Sequence, residues 1–410
     1  MVNILWLGMF FCAVIAAIYD LIFQHTTETF NLLTEAIFKN AQTAVEISIG
    51  LIGILSFWLG ILKMVEESGL AKKISEKLSP LFQVIMKDIP HNSPAISTVV
   101  LNMAANFLGL DNAATPMGLK AMEQLQEYNP KKDTASDAQI LFMIINASSV
   151  TLIPITIFMY RAQMGAKMPT DVFIPILLAT SFSTLVGFIC IAIKQKINLW
   201  HPVLIKWFGG LFLIIGAISL GFYALDAEHR LAVSAGLGNV ILILLISSVL
   251  FMCFKQKIGC YEVFVEGAKE GFNVAIRILP YLLAMLVAIG VFRASGALDM
   301  IINGVKYICN LLGTDSRFAD ALPTALMKPL SGSGARAMMI ETMQNFGADS
   351  FAAFLSSVIQ GSTETTFYVL TVYFGAVNIS KTRYALKYAL ISDAAGIMAA
   401  ILLSYLFYAG

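Results

Sequence analysis

Charge is scarce in this sequence. Only 13% of its 410 residues are Asp, Glu, Lys or Arg, against ~25% in an ordinary soluble domain, and 27 bases nearly cancel 26 acids to leave a formal +1. With no positive excess to grip phosphates, nucleic-acid binding is excluded as a main function. The five cysteines (Cys12, Cys190, Cys253, Cys260, Cys309) form no C-x-x-C pair and read as small apolar core residues. The four histidines (His25, His91, His201, His229) are not spaced as a metal pair, so neither a zinc site nor any cofactor is expected. Serine–histidine, paired-aspartate and H-E-x-x-H arrangements are lacking too, and the chain reads as a non-enzyme.

What is abundant is hydrocarbon. Hydrophobic residues make up 58% of the chain and the mean hydropathy is +0.78, the composition of an integral membrane protein. Apolar stretches of spanning length occupy 2–22, 46–65, 139–160, 172–194, 206–225, 234–254, 276–293, 350–374 and 384–408. The first has no basic stretch before it and reads as an uncleaved span. Segments 93–126 and 318–344 are apolar but broken by Gly, Pro, Asn, Ser and charge, the pattern of re-entrant hairpins. The expected fold is an all-α polytopic membrane protein with about nine transmembrane helices plus two re-entrant helical hairpins.

Loop bases set the orientation. With the N-terminus cytoplasmic, the inner loops hold the clusters Lys72 to Lys87, Lys131–Lys132, Lys194 to Lys206, Lys255 to Arg277 and Lys381 to Lys387. The outer side keeps only Lys39, Arg161, Lys167, Arg230, Arg293, Lys306 and Arg317.

The chain also repeats itself. Glu67-Ser68-Gly69-Leu70 matches Ala294-Ser295-Gly296-Ala297, Ala114-Thr115-Pro116-Met117 matches Ala335-Arg336-Ala337-Met338, and Asn146 to Thr151 lines up with Gln360 to Thr365. Each copy reads as a span, an amphipathic connector, a broken hairpin, a span interrupted by polar residues and a closing span. Five crossings separate the two starts, so the copies are expected to be inverted-topology repeats. Inverted repeats with discontinuous helices build secondary transporters, whose sites lie near the midplane.

The candidate binding residues are the polar groups at matching depth. The first copy offers Asn106, Asp111, Asn112 and Thr115 in its hairpin, with Ser148 and Ser149 in the interrupted span. The second offers Lys328, Ser331, Ser333 and Arg336, with Gln360, Ser362, Thr363 and Glu364. An ionised group at the bilayer centre costs at least ~2.5–3.5 kcal/mol, so Asp111, Lys328, Arg336 and Glu364 need partners or a wet cavity. They either pair with one another or serve a solute. The two glycines of Pro329–Arg336 permit a non-helical backbone with free N–H groups, bracketed by two bases, which suits a carboxylate or phosphate. The same stretch also reads as a plain hairpin tip. Glu364 and Asp111 are the candidate groups for a coupling ion, H⁺ or Na⁺. Lys120, Glu123 and Glu341 are expected at hairpin rims near water. Ser392, Gly396 and Ala400 mark a close helix contact in the last span, where Asp393 reads as a snorkelling or packing residue or as a proton relay.

Residues 1–195, with Leu108-Gly109-Leu110-Asp111-Asn112-Ala113-Ala114-Thr115-Pro116-Met117, resemble the spore maturation protein A family. Residues 255–410, with Pro329–Arg336 and Gly361-Ser362-Thr363-Glu364-Thr365-Thr366, resemble spore maturation protein B. The resemblance implies a fusion of the two, each half carrying a nucleoside recognition or gate repeat, at about 46–194 and 276–408, with two linking helices over 196–254. Gate domains also occur in nucleoside and ferrous-iron transporters, so a nucleoside is permitted while Lys328 and Arg336 fit an anion better.

The expected protein is thus an ion-coupled secondary transporter or exporter of a small polar, anionic solute in the bacterial cytoplasmic (inner) membrane. Its partners are the solute, the coupling ion and the lipid bilayer, and a homo-oligomer is compatible with the chain. A non-transporting scaffold or regulator is the alternative. The topology is open to test: a cysteine introduced near Lys132 should react with an impermeant maleimide only from the cytoplasm, and one near Asn345 only from outside. Labelling of both from one side would remove the inversion.

Overall fold

A backbone that crosses hydrocarbon must satisfy its own N–H and C=O groups, and an apolar chain does so as helices. The computed structural model describes residues 2–90, 93–107, 111–148 and 150–408, and among them the one β-type contact is a bridge between Thr134 and Lys381. Asp111 and Asn112 begin a helix but their side chains, like all of Ser149, lie outside the described residues.

The described residues form eighteen α-helices, in order: α1 (Val2–Phe23), α2 (Glu28–Glu67), α3 (Leu70–Ile85), α4 (Pro94–Phe107), α5 (Asp111–Glu127), α6 (Asp137–Ala147), α7 (Ile155–Gln163) and α8 (Phe173–Lys194). Next come α9 (Pro202–Leu204), running through a π turn into α10 (Gly210–Ala224), then α11 (Ala227–Lys255), α12 (Cys260–Ala294) and α13 (Ala297–Leu311). The last are α14 (Leu322–Met327), α15 (Gly332–Phe346), α16 (Phe351–Ser362), α17 (Thr366–Ala376) and α18 (Ala385–Phe407).

Among the described residues seven helices are long and apolar enough to cross a membrane, counting α9–α10 as one. Where the other two crossings are expected, the chain forms pairs of short helices instead of one long one: α6 and α7 stop either side of residues 148–154, and α16 and α17 either side of 363–365. The polar patches read from the sequence are where the helices break. Both hairpins form as well, α4 against α5 and α14 against α15.

Two spans are longer than their apolar runs suggested. Helix α2 has 40 residues and α12 has 35, about 60 and 52 Å at 1.5 Å per residue. Nothing in 28–45 or 260–275 stops a helix, so each begins well before its apolar stretch; Pro280 lies inside α12 without ending it.

The duplication is visible element by element. Helices α2 and α12 each end at a serine whose hydroxyl donates to the carbonyl three residues back, Ser68 to Val65 and Ser295 to Phe292, both at 2.8 Å. Each then turns through a glycine in the left-handed region, Gly69 (φ 66°) and Gly296 (φ 74°), where a Cβ is strained. An amphipathic helix, a hairpin, a broken span and a closing helix follow in both copies. Five crossings separate the start of α2 from that of α12, the odd number on which the inversion rests.

By contacts the chain divides into two compact units that cut across the copies. One comprises Met1–Leu59, Ile157–Lys167 and Ala268–Gln360; the other comprises Gly60–Thr156, Met168–Gly267 and Gly361–Gly410. The first unit therefore joins α7 to α12–α16, and the second joins α17 and α18 to α3–α6 and α8.

Packing in the second unit centres on α8 against α18. Lipid supplies no hydrophobic drive between helices, so small residues and interhelical hydrogen bonds hold them. Ser183 Oγ donates to Ser392 O (2.9 Å) and Ser392 Oγ to Ser183 O (2.8 Å). A Cβ on Gly187 would sit 2.7 Å from Ser392 Oγ, and one on Gly396 would sit 2.6 Å from Thr363. The small-residue stripe of the last span is this contact.

At one end of the same unit the loop before α6 is tied to the loop before α18. Asp133 pairs with Lys381 and Asp137 with Arg383, both at 2.7 Å, and the Tyr384 hydroxyl donates to Asp137 (2.7 Å). The bonds from Lys381 and Thr134 hold the Asp133 carboxyl below the usual carboxylate range. The two loops lie on one side, as their lysines and arginines suggested.

Gly187→Leu should overpack the α8–α18 contact and destabilise the protein by about 1–3 kcal/mol, partly restored by Ser392→Gly. Thermal unfolding in detergent checks this; equal melting of Gly187→Leu and wild type would mean that the contact is loose.

Candidate functional site

A broken helix strands carbonyls at one end and amides at the other. In the second unit the two breaks satisfy each other: Glu364 N, between α16 and α17, donates to Ala147 O, the last carbonyl of α6, at 2.8 Å. Leu152 N, in the α6–α7 break, donates to Phe107 O at the end of α4 (3.2 Å), and the Thr184 hydroxyl takes Ser148 O. The breaks are thus pinned to the hairpin and to α8.

Beside this junction lies a carboxamide cluster. Asn106 Nδ2 donates to Asn146 Oδ1 (2.9 Å) and to Asn102 Oδ1 (3.4 Å), and Asn102 Nδ2 reaches across the hairpin to Ala114 O (2.7 Å). Asn146 Nδ2 bonds Phe142 O (2.9 Å), and the Tyr373 hydroxyl donates to Asn146 Oδ1 at 3.5 Å. That hydroxyl lies so close to Gly118 that a Cβ there would come within 2.4 Å. Asn106, Thr115, Asn146, Glu364, Tyr368 and Tyr373 line a cavity of about 240 Å³. Glu364 is exposed to it and has no ion pair among the described residues.

The other expected residues of this unit point elsewhere. The Ser148 hydroxyl bonds back to Ile144 O (2.9 Å). Ser362 and Thr363 are buried, Thr363 against Gly396, and the Thr363 and Thr366 hydroxyls lack a hydrogen-bond partner. Asp393 is 1% exposed, so it packs inside and does not snorkel.

In the first unit the hairpin tip is basic. Lys328 is buried at the end of α14, and Arg336, in the second turn of α15, lies over the Tyr160 ring at 5.4 Å. The Tyr160 hydroxyl, the Gln360 Oε1 and the Ser356 hydroxyl are buried without a hydrogen-bond partner. One sequence expectation is corrected here. Gly332–Gly334 are not irregular backbone: Ser331 is the N-cap, its hydroxyl accepts Gly334 N (3.1 Å), and the glycines form the first turn of α15. A Cβ on Gly334 would displace the terminal methyls of Met327 and Met285. The non-helical stretch shrinks to the turn before Ser331. Ser333 Oγ lies 3.3 Å from Ser331 Oγ.

Two further charges were misplaced by the sequence reading. Glu341, expected at a watery rim, is 2% exposed and grips Arg293 through both carboxylate oxygens, while Arg293 also pairs with Asp299 (2.7 Å). Arg161, expected in an outer loop, is fully buried in α7, donating to Ala348 O (3.4 Å) and Ser357 Oγ (3.3 Å). It sits one residue past the apolar run 139–160, so composition made it look like the first residue of a loop. Tyr368 and Tyr373 were also missed, hidden among the other aromatic residues of an apolar span.

A model of the Gate family, described as nucleoside recognition, matches residues 48–167 and 275–380, more than half the chain. The chain belongs to this family. It is 40% identical over 183 residues to spore maturation protein A of Bacillus subtilis (strain 168), covering 45% of this chain and 90% of that protein. It is 46% identical over 165 residues to spore maturation protein B of the same bacterium, covering 40% of this chain and 91% of that protein. The chain is thus a fused A/B-like member of a transporter-like membrane family. No solved structure matches it.

The buried Arg293–Glu341 pair is open to test. Arg293→Met leaves a buried carboxylate uncompensated and should cost about 3–5 kcal/mol, whereas Arg293→Met with Glu341→Met should recover most of the loss. Thermal unfolding of both variants decides it; a double variant as unstable as the single would mean that the pair is not the source.

Proposed function

We propose that the protein is an ion-coupled secondary transporter or exporter of a small polar solute bearing an anionic group, working in the bacterial cytoplasmic membrane with its N-terminus inside. The observation that carries this reading is the paired helix break, Glu364 N on Ala147 O, beside the 240 Å³ cavity. Structural spans gain nothing from being broken, whereas transporters break spans where solute and ion bind.

Asn106, Thr115 and Asn146 offer donors and acceptors to a neutral polar part of the solute. Glu364, exposed to the cavity, exchanges the coupling H⁺ or accepts Na⁺, and Asp111, four residues before the lining residue Thr115, is assigned to share the task. Lys328 and Arg336 with Ser331 and Ser333, in the first unit, are assigned as a separate anion subsite beside the N-terminus of α15. Of the remaining candidates, Asn112, Ser149 and Gln360 are kept as proposed solute-binding residues, whereas Ser362 and Thr363 are buried in packing contacts. The A-like half is taken as 1–195 and the B-like half as 255–410, and the family suggests no enzymatic step.

The test is uptake into sealed proteoliposomes of radiolabelled nucleosides, nucleotides and small carboxylates under an imposed pH or Na⁺ gradient. At least one should accumulate with wild type. Glu364→Gln should abolish gradient-driven accumulation while retaining binding, and Arg336→Gln should weaken binding by about 2–5 kcal/mol with the fold intact. Full coupling in Glu364→Gln would move the ion site elsewhere, and unchanged binding in Arg336→Gln would end the anion assignment.

A further inference from the structure

The first unit contains a second cavity, of about 350 Å³, with no polar side chain in its lining. Its walls include Gly8 and Cys12 of α1, Phe292 of α12, Val305 of α13, and Leu326 and Met327 of α14. An apolar cavity of about 150 Å³ already stays dry and takes up benzene, so this larger space calls for hydrocarbon. Helices α1 and α12 are both of membrane-spanning length, which makes lipid the medium beside them. Lys306, the residue after Val305 in α13, pairs with Asp320 at 2.8 Å and stays one-third exposed. An ammonium has three donors, so it can hold a phosphate as well as a carboxylate.

From this we propose that the cavity is a binding site for one acyl chain of an anionic phospholipid, whose headgroup phosphate meets Lys306. The site stands apart from the proposed solute residues but is joined to them by the chain. Met327 ends α14, and the next residue is Lys328, with the Ser331 cap three further on. A bound tail would therefore brace the arm of the hairpin that ends at Lys328.

The test uses the full-length protein in phosphatidylglycerol vesicles doped with phosphatidylglycerol carrying a diazirine in one acyl chain. After irradiation and digestion, mass spectrometry should find adducts concentrated on the peptides around Cys12 and Leu326. A Cβ on Gly8 meets nothing within 4 Å, so Gly8→Phe can fill the cavity without a clash and should lower those adducts several-fold. A Cβ on Gly216 of α10 also meets nothing within 4 Å, and Gly216→Phe should leave them unchanged. Adducts spread evenly over α1, α10 and α11, or undiminished in a folded Gly8→Phe, would overturn the site. So would disulfide-linked dimers through the exposed Cys12 of α1 under mild oxidation, which would mean that a second copy fills the groove. Equal yield from a phosphatidylcholine probe would overturn the choice of an anionic headgroup. Should Gly8→Phe fail to fold, the wild-type adduct map decides alone.

Discussion

Interrupting a helix inside hydrocarbon leaves peptide groups that water cannot reach, each costing several kcal/mol if left bare. Here the interruption between α6 and α7 and the one between α16 and α17 meet that cost together, because Glu364 N closes on Ala147 O. The other arrangements of the second unit depend on that closure. Phe107, at the hairpin, can take Leu152 N only if the first break is held in place, and Thr184 on α8 can take Ser148 O only if α6 ends where it does. The cavity beside the junction is what remains once backbone demands have been met, and Glu364 reaches it because its own N–H is fixed.

The two copies use one scaffold for different chemistry. Both have a serine-closed helix end, a left-handed glycine and a connector, hairpin and broken span in the same order. At the matching depth the first copy places carboxamides that bond one another, while the second places a buried lysine and an arginine stacked on tyrosine. Carboxamides donate and accept, so the first cluster can satisfy itself without a ligand. Guanidinium and ammonium groups only donate, so the second set depends on oxygen or aromatic acceptors supplied from elsewhere. A duplicated fold keeps its backbone devices because sterics demand them and is free to vary the side chains.

Much of this architecture was legible in the sequence. Spans, hairpins, the duplication and both breaks follow from apolar run length and from polar residues at matching spacing, since the bilayer leaves a chain few options. Asn106, Asn146 and Glu364 could be singled out because polar groups in an apolar span are costly. Composition could not say where a charge goes once helices pack. Glu341 and Arg161 look like rim residues until Arg293 and the Ser357 face of α16 are brought beside them by contacts 48 and 196 residues away. Nor could glycine content reveal that Gly332–Gly334 are helical, because that depends on Ser331 serving as a cap. Helix length was underestimated for α2 and α12 because hydropathy reports where lipid is, not where a helix starts.

The division into units that cut across the copies sets an order in time. During synthesis α6 emerges long before Glu364 exists, and Asn146 waits 227 residues for Tyr373. Ribosomes add about 5–20 residues per second, so the first copy must sit in the membrane for roughly ten seconds or more with Ala147 O and its polar neighbours unfinished. Neither unit can close until α17 has been delivered to one and α16 to the other. Both units are therefore finished late, and a chain cut short in α11 or α12 has spans but lacks the helices that complete either unit.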